Sequence, residues 1–84
     1  MSRFDGHASV RRVYVNSAGA TVLDIKPDGL DWFWAFGPAD HHREALAVSL
    51  AAMSAGWKLW VTLPDDPASA TLENVGMTKV PDVG

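Results

Sequence analysis

Apolar residues recur along this chain with two different periods, and the switch between them divides it into strands and one helix. Val10, Val13 and Val15, with Tyr14 among them, form a β-branched run closed by Asn16-Ser17-Ala18-Gly19, which predicts a strand over 10–15. A second strand follows over 21–26, with Thr21, Leu23 and Ile25 on one face and Val22, Asp24 and Lys26 on the other. Lys26-Pro27-Asp28-Gly29 predicts a tight turn, with Pro27 presetting φ at the first central position and Gly29 accepting a positive φ. In a third strand, over 30–36, Leu30, Trp32, Trp34 and Phe36 share one face and Asp31, Phe33 and Ala35 the other. Gly37-Pro38 ends it.

The period then becomes helical. Asp40 is the expected N-cap, and Glu44 near the start suits the helix dipole. Leu46, Leu50 and Met53, spaced i, i+4, i+7, are the expected core stripe of a helix running to about Ala55. Gly56 fits the left-handed position after the helix, with Trp57 packing back on Ala51 and Ala52. Residues 58–63 alternate again: Leu59, Val61 and Leu63 inward, Lys58, Trp60 and Thr62 outward. After a Pro- and Asp-rich loop over 64–70, a last strand over 71–80 carries Leu72, Val75 and Met77 with a phase shift, which predicts a β-bulge at Gly76.

Three strands, one helix and two strands is the element order of the OB-fold, a five-stranded barrel with its helix between strands three and four. Residues 1–84 are expected to form one mainly β domain of this kind, with 1–8 a flexible lead-in and 81–84 a flexible tail. An α+β two-layer sandwich shares the element order, and local patterns do not separate the two.

Composition narrows the function. The 48% apolar content excludes a disordered chain. Ten acidic against seven basic residues, with Arg11-Arg12 the only basic pair, weigh against nucleic acid, which selects basic stripes. Cysteine is absent, so no disulfide or thiolate metal site can form. No secretory h-region is visible at the start, which reads as cytoplasmic as written, or as secreted if this is a mature chain with an added Met. The longest uncharged apolar stretch, 45–57, is too short to span a bilayer.

From 45 to 55 the helix carries no charge at all. A helix apolar all round is usually buried all round. Ala45, Ser49 and Ala52, on the face away from the Leu46 stripe, are therefore expected to form the helix side of an oligomer interface.

The stretch 45–77 resembles the B subunits of bacterial toxins that carry one catalytic chain on a ring of five binding chains, and their small bacterial relatives. The resemblance rests on an apolar helix ending in Ser54-Ala55-Gly56-Trp57-Lys58-Leu59-Trp60-Val61, followed by a short strand with Leu72, Val75 and Met77. It implies an OB-fold, a homopentameric ring with helices around a pore, and recognition of a glycan or an A-type partner chain on the surface. Such subunits usually carry a disulfide, which this chain cannot form, and no glycan-contact residue carries over.

Catalytic signals are missing. His41-His42 point about 100° apart on a helix, so both read as solvated, and His7 is remote in sequence. Asp65-Asp66 lack the alternating ligands of a calcium loop and read as solvated too. Ser9, Ser17 and Ser69 read as turn or strand-edge residues, with no base in an activating spacing. The expectation is a non-catalytic module with no metal and no cofactor. Its ligand or interface candidates are Trp60, outward by alternation, with Trp32, Trp34 and Tyr14. A purely structural oligomer and a single-stranded nucleic-acid module are the alternatives.

Overall fold

The computed structural model describes residues 3–65 and 70–82. It is mainly β: five strands in one open antiparallel sheet, with one helix. The strands are β1 (Phe4–Val15), β2 (Thr21–Pro27), β3 (Phe33–Phe36), β4 (Trp57–Leu63) and β5 (Asn74–Pro81), and the helix α1 (His42–Ala55) lies between β3 and β4. The sheet order is β3-β2-β1-β4-β5.

The long β1 organises the sheet by pairing with β4 along its first part and with β2 along its second. Its inward residues are Phe4, Ala8, Val10 and Val13, which join Leu23, Ile25, Ala35, Leu59, Val61, Leu63 and Leu72 in one core. The spacing between Val10 and Val13 is three, and the pairing with β2 shifts between Val10 and Arg12, so Arg11 is the extra residue of a bulge. Residues 4–8, expected as a flexible lead-in, are therefore strand. Pro81, expected in the tail, closes β5, and residues 83–84 lie outside the described residues.

Three local expectations need correction. The turn after β2 runs from Pro27 to Leu30, closed by the Leu30 N–H on the Pro27 carbonyl at 2.9 Å, so Pro27 opens the turn instead of filling its first central position. Gly29 does take positive φ, 86°. The bulge expected at Gly76 is absent there: Gly76 pairs regularly with Trp60, and the shift falls opposite Trp57 to Leu59, where Lys79 adopts φ 62°. The apolar phase breaks earlier because Leu72 precedes β5 and bonds elsewhere, its N–H donating to the Phe36 carbonyl at 2.8 Å. With the Phe36 N–H on the Ala70 carbonyl, that contact makes a parallel bridge between Phe36 and Thr71, linking the end of β3 to the segment that leads into β5.

The third correction is the helix. Asp40 does not cap it. Asp40 lies at φ 65°, His41 holds the cap position with no side-chain cap bond, and the N-terminus is tied down instead by His42. The His42 Nδ1 accepts the Thr21 N–H at 3.1 Å, and the His42 carbonyl accepts the Thr21 hydroxyl. Gly56 ends α1 at φ 74° as expected, its N–H donating to the Ala52 and Met53 carbonyls.

The face of α1 that meets the sheet is Ala45, Ser49 and Ala52, all buried. Leu50 and Met53, expected in the core, remain 50% and 37% exposed, and Leu46 is half-buried. The helix is thus turned by about one residue's 100° from the expected orientation. Small side chains let it settle close on Gly37, and the Ser49 hydroxyl meets its need for a partner by donating to the Ala45 carbonyl at 2.7 Å.

Candidate functional site

Period two places Trp34 and Phe36 on the outer face of the sheet, because Ala35 and Phe33 turn inward against Leu23 and Ile25. Tyr14, opposite Val22, and Trp34, opposite Asp24, reach the same outer face from strands on either side of β2. Their rings meet edge to face, 5.6 Å between centroids at 69°. Both remain nearly half exposed, at 48% and 44%, and Phe36 beside them is exposed as well. Trp32 and Trp34, which share a face by alternation with Leu30 and Phe36, therefore do not belong to the core.

Beneath this ridge lies a buried charge. Asp24 is buried, its side chain only 4% exposed, and it accepts from the Arg11 Nε at 2.5 Å. The bulge explains the pairing, since it puts Arg11 and Arg12 together opposite Asp24. Arg11 also lies 4.2 Å over the Trp32 ring, which fixes the guanidinium between a carboxylate and an aromatic plane. Arg12 is exposed, and its side chain makes no ion pair or hydrogen bond among the described residues.

A second polar and aromatic group sits on the other half of β1. Trp60 lies outside the core between the buried Leu59 and Val61, as alternation requires. Its cover comes from its own chain, however. The indole Nε1 donates to Asp5 Oδ1 at 3.0 Å, and the ring meets His7 edge to face at 4.8 Å. Thr62 donates to the same Asp5 oxygen at 2.9 Å, and His7 Nε2 shares a hydrogen bond with Thr78 Oγ1 at 2.7 Å. Trp57 opens β4 with the Lys79 ammonium 5.8 Å over its ring.

Of the polar residues singled out in the sequence, His42 is not solvated: it is half-buried and holds the helix to β2. His41 is exposed, 4.0 Å from the Glu44 carboxylate. Ser9 donates to Asp82 at 3.1 Å. Asp66 and Ser69 lie outside the described residues. Among the described residues, no three His, Asp or Glu side chains come together as a metal set, and no helix is long and apolar enough to cross a membrane.

Ala45, Ser49 and Ala52, expected on an oligomer interface, are buried within their own chain. The outward face of α1 is instead Ala47, Leu50, Ala51, Met53 and Ser54. Among the described residues, this helix face and the Tyr14–Trp34 ridge with Phe36 both stand exposed. The ridge contains three of the aromatic candidates once Trp32 is included. What the sequence reading missed was the outward turn of Leu50 and Met53 and the anchoring of Arg11 by Asp24. The three-residue step from Val10 to Val13 was the available signal for the latter. No protein-family model, curated protein or solved structure matches this chain.

Proposed function

We propose that this domain is a non-catalytic, self-associating module of OB type that works by assembling with copies of itself. The observation that carries the reading is the outward face of α1. Leu50 and Met53 stand exposed on a helix without a charged residue from 45 to 55, where a solvated face carries Lys, Glu or Arg. The aromatic ridge adds a second exposed apolar surface, and aromatic residues with arginine are the types enriched at the centres of protein interfaces.

Two features favour the OB-type barrel over a flat two-layer arrangement. β1 is shared between β2 and β4 and carries a bulge at Arg11, just past its pairing with β4, and the parallel Phe36–Thr71 bridge ties the end of β3 to the segment leading into β5. The resemblance of 45–77 to toxin B subunits then favours a five-membered ring, with a glycan or a partner protein bound at its surface.

The test is a dilution series by sedimentation equilibrium on the wild type and Leu50→Glu. Self-association through the helix face makes the wild type a discrete oligomer at micromolar concentration. Leu50→Glu shifts it toward the monomer while its circular dichroism spectrum stays that of the folded chain. A wild type that is monomeric throughout the series contradicts the proposal.

A further inference from the structure

We infer that the copies dock head to tail, the Tyr14–Trp34 ridge of one seated in the cavity between α1 and β5 of the next. This rests on the self-association proposed above and adds a contact separate from the Leu50 and Met53 face, since neither residue lines the cavity.

The cavity holds about 240 Å³. Pro38, Val48 and Val75 give it apolar walls over the buried Ala45, and the polar His41, Glu44, Glu73 and Asn74 complete the lining. Sites for small organic ligands usually offer roughly 300–1,000 Å³. A cavity below that range suits a single large side chain. The ridge supplies one: Tyr14 and Trp34 brace each other edge to face and project from the sheet nearly half exposed. Bracing matters because a ring already held in one orientation loses less freedom on docking.

Charge selects the pairing. The ridge is flanked by two guanidinium groups. Arg11 is half exposed but held by Asp24 and Trp32, and Arg12 has no ion pair among the described residues. The cavity rim carries two exposed carboxylates, of which Glu44 has only the distant His41 contact at 4.0 Å. An aromatic knob beside arginines thus faces an apolar hole beside glutamates, and like charges would meet if ridge met ridge or hole met hole. Knob and hole are different patches of one chain. The contact is therefore heterologous, and repeating it closes a ring when the rotation fits. A self-complementary two-fold dimer does not arise from it.

The experiment is a charge swap read by native mass spectrometry and sedimentation velocity, with circular dichroism to confirm the fold. Arg12→Glu and Glu44→Lys are each expected to weaken assembly by about tenfold or more, and the two together are expected to recover most of that loss. Arg12 sits opposite Asp24, so Tyr14→Ser serves as a second variant that removes part of the knob without adding charge. It is expected to weaken assembly alike. A monomeric wild type overturns the self-association itself. A wild-type oligomer untouched by Arg12→Glu, Glu44→Lys and Tyr14→Ser leaves self-association standing and overturns this contact. Two weakening single variants whose losses add in the double variant also overturn it, since the groups then do not meet.

Discussion

Gly37 lies so close beneath α1 that a Cβ placed on it would come within 2.9 Å of the Ala45 Cβ. The helix sits on the sheet at a distance set by the smallest side chains available on both sides. Gly37→Ala forces the helix outward or the β3 exit aside. The expected loss is about 1–3 kcal/mol of stability, the usual cost of overpacking. Urea unfolding measures it, and an unchanged midpoint would show that the helix has room to move.

The same packing separates two charge insertions that look alike in sequence. Ala52→Glu puts a carboxylate into the core against the sheet and is expected to cost several kcal/mol, enough to unfold a domain this small. Leu50→Glu meets solvent in the isolated chain and is expected to change folding stability by about 0.5 kcal/mol or less. Thermal melts of the two variants at low concentration give the contrast.

Trp60 and its neighbours on β4 form a second contrast. Leu59→Ala opens a cavity in the core and is expected to cost about 2–5 kcal/mol. Trp60→Phe keeps the ring but removes the indole donor to Asp5, which is worth about 0.5–1.5 kcal/mol. If both variants lose stability equally, β4 is buried on both faces and its alternation has been misread.

Arg11 is the counter-charge of a buried carboxylate. Arg11→Ala leaves Asp24 without that partner, and the expected loss is about 1–3 kcal/mol, toward the lower end because Arg11 itself is half exposed. Removing both groups in Arg11→Ala with Asp24→Ala is expected to recover part of the loss. A double-mutant cycle on chemical denaturation reads the coupling. Simple additivity of the two single losses would mean that the pair contributes nothing of its own.

Much of the sheet was legible because its inward residues are large. Leu23, Ile25, Leu59, Val61 and Leu63 mark β2 and β4 by period two alone. The first part of β1 follows the same period, with Phe4, Gly6 and Ala8 alternating against Asp5, His7 and Ser9. Glycine and alanine carry too little hydrophobic signal to announce a buried face. The helix misled for the related reason that the larger side chains were assigned to the core. Close packing on Gly37 reverses the rule: Ala45, Ser49 and Ala52 fit, and Leu50 and Met53 do not. The ridge was half legible. Alternation put Trp32, Trp34 and Phe36 on one face, but which face was outward depended on Leu23 and Ile25 across the sheet, a relation between strands that no local pattern contains.

Self-association is tested most directly by the native mass spectrum of the wild-type protein at micromolar concentration. The exposed face of α1 and the aromatic ridge predict a single discrete oligomer, a ring of five on the toxin B-subunit resemblance. A spectrum containing only the 9.1 kDa monomer would contradict the account.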